Sequence, residues 1–147
     1  MPAGIRPTQD VTRKAIVDLI GHDLSGVTFL DLFAGSGSVG LEMISRGAKR
    51  VMFVEGTQKC SDTILENLRI LGLYDAAGGQ QVEVIGADAF MVIKQLSRKG
   101  EKFDIVFLDP PYGLDLAKKA LKTLMAYDIV PPNCLIIIEH KDRKSVV

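Results

Sequence analysis

Three glycines lie where the backbone of this chain could hold a ligand. Gly35, Gly37 and Gly40 follow an apolar run and open a helical pattern, in the spacing GxGxxG. Glycine lets the backbone approach a ligand closely, and a helix N-terminus offers unpaired N–H groups. The acidic Glu55 follows Gly35 by 20 residues. On spacing alone this is the pattern of a dinucleotide-binding turn, in which the acid accepts ribose hydroxyls.

A second acid, Asp31, argues against a dinucleotide. It lies at the end of the apolar run, just before the glycines. A carboxylate at this position would repel a pyrophosphate, whereas it suits the ammonium group of an amino acid. Asp31 and Glu55 together therefore favour a ligand that joins an adenosine to a cationic amino-acid part.

The segment Asp109-Pro110-Pro111-Tyr112 predicts a rigid loop after another apolar run. Proline fixes φ and lacks an N–H, so the Asp109 carboxylate and the Pro110 carbonyl remain as acceptors. The exocyclic amine of a base has two N–H donors, one for each acceptor. Tyr112 offers a ring on which the base can stack, worth ~1–3 kcal/mol. We predict that Asp109, Pro110 and Tyr112 act on such an amine by positioning it, without a metal.

The elements that must position these residues alternate between strands and helices. The apolar runs are nearly continuous, as expected of strands buried on both faces. They are Val27–Leu32, Val51–Glu55, Val82–Ile85, Phe103–Leu108 and Cys134–Glu139. Helical patterns lie between them, and Asp88 is placed as an N-cap. The alternation predicts an α/β fold, a Rossmann-like doubly wound parallel sheet of order 3-2-1-4-5.

The composition indicates one globular domain over residues 1–147. Hydrophobic residues make up 47% and charged residues 24%, and no apolar run is long enough for a membrane span. The N-terminus has no signal-peptide pattern, so we expect a cytoplasmic protein with Cys60 and Cys134 reduced. The 18 basic residues balance the 18 acidic ones. This balance argues mildly against a protein that binds nucleic acid unaided.

Further motifs resemble a known family. The segments Arg6–Arg13 (RPTQDVTR), Asp31–Glu42 and Ser45–Ala48 look like the bacterial 16S rRNA guanine-N2 methyltransferase family (RsmD type). This family belongs to the class I S-adenosylmethionine-dependent methyltransferases. The similarity extends from Arg6 to about His140. It implies methyl transfer to N2 of a guanine in 16S rRNA, within a partly assembled small ribosomal subunit particle.

The resemblance also implies roles for individual residues, with S-adenosylmethionine as the cofactor. The implied cofactor-binding residues are Asp31, Phe33, Gly35, Gly37, Glu55, Ala87 and Asp88. For Asp88, a role as helix N-cap alone stays open. The substrate-binding candidates are Arg6, Arg13, Pro111 and Tyr112. The two arginines are included because the first helix of this fold class packs near the mouth of the cofactor site.

Other functions remain open from the sequence. The Asp-Pro-Pro-Tyr motif also occurs in DNA adenine-N6 methyltransferases and in protein-glutamine methyltransferases. A third alternative is a non-catalytic RNA-binding module that keeps the cofactor fold. The balanced charge makes an independent DNA-binding enzyme the weaker alternative.

The last apolar run raises a separate expectation. Cys134–Glu139 is apolar on both faces, and the family has two further strands beyond it. The residues after His140 are mostly polar, so we expect these closing C-terminal strands to be missing. The fifth strand would then be an unpaired edge through which the chain could self-associate.

Overall fold

The computed structural model describes residues 14–19, 21–73, 79–111, 114–139 and 144–146. Arg6, Arg13 and Tyr112 lie outside these ranges, so the roles predicted for them stay predictions. No helix in this part of the chain is long and apolar enough to cross a membrane.

Strands and helices alternate along the described chain in the predicted order. The first helix, α1, covers residues 14–19. The strands are β1 Thr28–Leu32, β2 Arg50–Val54, β3 Gln81–Ile85, β4 Ile105–Leu108, β5 Leu135–Glu139 and β6 Lys144–Val146. The other helices are α2 Ser38–Ser45, α3 Gln58–Ile70, α4 Ala89–Arg98 and α5 Leu114–Ala126. The bounds of β1 to β5 differ from the predicted ones by one or two residues.

The strands form one sheet of order β3-β2-β1-β4-β5-β6, which confirms the predicted order of the first five. These five strands are parallel. Their carboxyl ends are level, because Leu32 pairs with both Val54 and Leu108, and Leu108 pairs with Ile138. The strand order reverses between β1 and β4, where open α/β sheets bind their ligands.

Helices cover both faces of the sheet, and each face has its own core. On one face, α4 and α5 pack against alternate strand residues that include Leu32, Val54 and Leu108. On the opposite face, α1, α2 and α3 pack against the other alternate residues. This second face, whose strand residues include Phe53 and Phe107, is called the α1–α3 face below. Burying each large side chain in these cores contributes roughly 1.5–3 kcal/mol.

Two expectations about the sheet are wrong. The first concerns β3, which was expected to be buried on both faces. It is an edge strand, as the predicted order places it, but Gln81 is exposed and Val82–Ile85 are only half-buried. An edge strand has a neighbour on one side only, and its apolar residues therefore keep part of their surface in solvent.

The second concerns β5, which was expected to be an unpaired edge. β6 pairs antiparallel with it, with Ile137 opposite Val146 and Glu139 opposite Lys144. Polar side chains in this segment do not prevent pairing, because backbone N–H and C=O groups form the ladder. Because β6 pairs with Ile137–Glu139, these residues do not form the unpaired edge through which self-association was expected.

Candidate active site

Four carboxylates lie at the carboxyl edge of the sheet, on its α1–α3 face. They are Glu55 after β2, Asp31 in β1, Asp109 after β4 and Glu139 at the end of β5. Strand side chains alternate between faces, and the residues immediately before these acids point to the opposite core. Those preceding residues are Val54, Leu30, Leu108 and Ile138. The edge therefore concentrates negative charge on one face.

The glycine turn after β1 is held in a left-handed backbone conformation. Phe33 has φ 63° and Gly35 has φ 58°, and the N-cap of α2, Gly37, has φ 80°. For Phe33 this conformation costs roughly 1–3 kcal/mol, a strain that is concentrated at functional sites. The Phe33 ring packs edge-on against Phe90, with centroids 6.1 Å apart. This contact helps to hold the strained turn in place.

The three glycines of the turn have different purposes. A Cβ on Gly35 would meet nothing within 4 Å, so this position needs glycine for its positive φ alone. A Cβ on Gly40 would lie 2.2 Å from the Phe53 ring. A Cβ on Gly37 would lie 3.1 Å from Ile64. Gly40 therefore lets α2 pack closely on β2, while Gly35 shapes the open part of the turn.

Glu55 joins the glycine turn to the start of α3. Its Oε1 accepts the backbone N–H of Gly35 at 3.1 Å. Its Oε2 accepts both the N–H and the hydroxyl of Thr57 at 3.0 Å. A carboxylate has about four acceptor positions, so these bonds leave little capacity for a ribose diol. Binding both hydroxyls requires Glu55 to exchange at least one of these partners.

Asp31 is a buried acid with an unused acceptor. It is 1% exposed, and its Oδ1 has no hydrogen-bond partner among the described residues. Burial, followed by repulsion from Asp109 and Glu55, raises the pKa of Asp31 well above its usual value. The N–H of Gly40 only partly opposes this effect. A cation placed beside Asp31 would satisfy the oxygen and stabilise its charged form.

Asp88 lies at the neighbouring strand end and caps α4. Its Oδ2 accepts the N–H of Met91 at 3.1 Å, which confirms the predicted N-cap. Ala87 beside it is half-buried against the α4–α5 core. This arrangement places both residues at the carboxyl edge, past the end of β3. A ligand-binding role for either residue remains a proposal.

The predicted catalytic loop begins beside the buried acids. Asp109 is half-buried, Pro110 is buried and Pro111 is exposed. Asp31 pairs with Phe107 of β4, two residues before Asp109, so the loop begins on the strand next to the one that carries Asp31. The loop and the glycine turn therefore follow neighbouring strands at the same edge of the sheet.

The sequence reasoning did not single out Glu139. Its carboxylate is 2% exposed, and neither oxygen has a hydrogen-bond partner among the described residues. The available signal was an acid at the end of an apolar strand, the same signal that identified Asp31 and Asp109. In the described part of the chain, no group of three or more acids, cysteines and histidines could hold a metal ion.

Comparison with known proteins gives close similarities. The family described as conserved hypothetical protein 95 matches residues 1–147. Ribosomal RNA small subunit methyltransferase D of Haemophilus influenzae is 34% identical over 144 residues, covering 98% of this chain and 72% of that protein. Its namesake from Escherichia coli K12 is 32% identical over 138 residues, covering 94% and 65%. A solved structure from Haemophilus influenzae has a TM-score of 0.75 at 32% identity, covering 96% of this chain and 84% of that one.

Proposed function

Because this chain belongs to the conserved hypothetical protein 95 family and is related to the ribosomal RNA small subunit methyltransferases D, we propose that it is an S-adenosylmethionine-dependent RNA methyltransferase. Its proposed substrate is the N2 amine of a guanine in 16S rRNA, carried by a small ribosomal subunit particle. The names of the relatives support rRNA as the substrate class. The choice of guanine N2 rests on the resemblance of the motifs and on the chemistry of the site.

The observation that carries the proposal is the buried, unsatisfied Asp31 beside the glycine turn. A carboxylate with one oxygen that lacks a partner among the described residues fits a ligand with an ammonium group and disfavours one with a pyrophosphate. When bound, S-adenosylmethionine supplies a methyl group on a sulfonium, which is a good leaving group. The residues of this chain that would hold its amino-acid part are Asp31, Phe33, Gly35 and Gly37.

The adenosine part would lie along the next two strand ends. Glu55 would accept the ribose hydroxyls after releasing part of its contact with Gly35 or Thr57. Ala87 and Asp88 would contact the adenine. The order of the strands then leaves the ends of β4 and β5 for the substrate base.

The reaction needs an amine held close to the methyl group, with its lone pair directed toward it. The lone pair of an exocyclic amine is delocalised into the ring, so the amine is a weak nucleophile. The Asp109 carboxylate and the Pro110 carbonyl would accept its two N–H groups and favour a pyramidal nitrogen. Tyr112 and Pro111 would pack on the base, and Arg6 and Arg13 would contact phosphates. Positioning of this kind supplies most of the rate acceleration.

The test is transfer of a labelled methyl group from S-adenosylmethionine to three substrates. These are small-subunit particles, free 16S rRNA and duplex DNA, each incubated with the wild type and with Glu66→Gln. Glu66 is on the exposed surface of α3 and serves as a matched acid-to-amide control. We expect label in the particles or in the rRNA, at equal rates for both proteins. Label in duplex DNA alone would contradict the proposal and indicate an adenine-N6 enzyme.

Binding without transfer would also contradict it. If S-adenosylhomocysteine binds in calorimetry but no substrate is labelled, the chain is a non-catalytic module with a cofactor fold. If calorimetry shows heat of binding with NAD and none with S-adenosylhomocysteine, the proposal of S-adenosylmethionine as the cofactor is wrong as well.

A further inference from the structure

We infer that Glu139 recognises the substrate base, accepting the N1–H of guanine while Asp109 and the Pro110 carbonyl hold the N2 amine. This inference rests on the proposed function and adds a specificity-determining residue to it. It would explain how the site selects guanine among the bases that carry an exocyclic amine.

The first support is the burial of an acid whose carboxylate has no hydrogen-bond partner among the described residues. Glu139 is 2% exposed, and both of its oxygens lack a hydrogen-bond partner in the described part of the chain. A buried carboxylate without a partner is costly, because it loses its hydration and receives nothing in return. Local rules of folding are broken in this way mainly at functional sites.

The second support is the position of Glu139 beside Asp109. β4 and β5 are paired in parallel, and the last pair of this register is Leu108 opposite Ile138. Asp109 and Glu139 are the residues that directly follow this pair. Neighbouring strands are separated by roughly 4.8 Å. Leu108 and Ile138 both belong to the α4–α5 core, so the two acids that follow them point to the α1–α3 face.

The third support is the direction in which Glu139 lies. The acids follow the strand order β2, β1, β4 and β5, so Glu55 and Asp31 come first and Asp109 and Glu139 follow. The glycine turn adjoins the first pair. Glu139 is therefore on the side of Asp109 away from the proposed cofactor, where the ring of a base would extend.

The chemistry of the bases matches this pair of acids. Guanine presents N1–H and N2–H₂ on one edge, so the edge is made entirely of donors apart from its O6. Adenine and cytosine present an unprotonated ring nitrogen next to their amines. That lone pair would face the Glu139 carboxylate and be repelled by it. Two adjacent carboxylates thus accept from guanine and reject the other two bases.

The experiment uses RNA that carries either guanine or 2-aminopurine at the methylated position. 2-Aminopurine keeps the N2 amine but has an unprotonated N1, which accepts hydrogen bonds. We expect the wild type to favour guanine by roughly 10- to 100-fold in kcat/KM. Glu139→Gln should lose a similar factor on guanine RNA and gain on 2-aminopurine RNA, because its amide N–H can donate to N1. Glu66→Gln should leave the ratio unchanged.

The outcomes separate this inference from the proposed function. If the wild type methylates guanine N2 but uses 2-aminopurine RNA equally well, Glu139 does not read N1–H and the inference is overturned while the function stands. An unchanged ratio in a folded Glu139→Gln variant would overturn it too. If the wild type transfers no methyl group to guanine, both fail. Affinity for S-adenosylhomocysteine should stay within about twofold in the variant, which shows that its fold and cofactor site are intact.

Discussion

The Glu55 carboxylate accepts the backbone N–H of Gly35 at 3.1 Å, which ties the end of β2 to the glycine turn after β1. It also holds Thr57 at the start of α3. The same group is thus the organiser of the turn and the proposed acceptor of the ribose hydroxyls. Removing it should affect both stability and cofactor binding.

We predict that Glu55→Ala weakens binding of S-adenosylhomocysteine by about 1.5–3 kcal/mol, the usual loss for a hydrogen-bonded charged group. The variant should also melt earlier, since Gly35 and Thr57 lose their partner. Titration calorimetry and thermal melting measure the two effects. Glu66→Ala, on the exposed surface of α3, is the control. If the affinity of Glu55→Ala for S-adenosylhomocysteine is unchanged, the ribose does not bind at Glu55.

Replacing Asp31 should raise the stability of the fold and weaken cofactor binding, whereas replacing Glu55 should lower both. We predict that Asp31→Asn is more stable than the wild type at pH 7 by about 1 kcal/mol or more, because an unsatisfied buried charge is removed. The variant should bind S-adenosylhomocysteine more weakly, because the ammonium group of the ligand would lose a charged partner. Urea unfolding and calorimetry test this. If Asp31→Asn is less stable than the wild type and binds S-adenosylhomocysteine with the same affinity, Asp31 is not a strained acid that holds the ammonium group.

The pH dependence of stability follows from the raised pKa of Asp31. The folded protein holds its proton to higher pH than the unfolded chain does, so the contribution of this group is complete below the unfolded pKa. It is lost as pH rises toward and through the folded pKa. The stabilisation by Asp31→Asn should therefore vanish in acid and grow with pH. Urea unfolding of both proteins across that range measures the difference, and a constant difference would contradict the sign.

Substitutions at Gly40 and Gly35 test how the glycine turn packs, independently of any ligand that the turn binds. We predict that Gly40→Ala destabilises the fold by about 1–3 kcal/mol, because its Cβ would overlap the Phe53 ring. In Gly35→Ala the added Cβ would meet nothing within 4 Å. This variant should lose only the roughly 1–2 kcal/mol that a left-handed backbone costs a residue with a Cβ. Denaturant unfolding should rank Gly40→Ala as the more damaging change. The reverse order would mean that α2 adjusts its distance from β2.

Much of the fold could be predicted because strands buried on both faces leave continuous apolar runs. The glycine turn and the acids Asp31, Glu55 and Asp109 were recognisable by their position after such runs. The pairing of β6 with β5 was missed, since backbone groups rather than apolar side chains carry it. The sequence also could not show that Glu139 is buried without a hydrogen-bond partner among the described residues, because that depends on neighbouring strands and helices. Nor could it show that Glu55 binds its own turn.

Asp109 should separate chemistry from cofactor binding. We predict that Asp109→Ala abolishes methyl transfer while affinity for S-adenosylhomocysteine changes little, because the proposed role of Asp109 is to hold the amine and not the adenosine. Single-turnover transfer and calorimetry on the same preparation measure both. Asp115, which is exposed in the first turn of α5, provides the control Asp115→Ala. Retained transfer with lost binding would reverse the assignment.

We propose that the chain methylates N2 of a guanine in small-subunit rRNA. The most direct test is to label small-subunit particles with the wild-type protein, digest the RNA to nucleosides and identify the labelled one by chromatography and mass spectrometry. We expect N2-methylguanosine as the labelled product. Label in N6-methyladenosine, in a methylated cytidine or in ribosomal protein would contradict it.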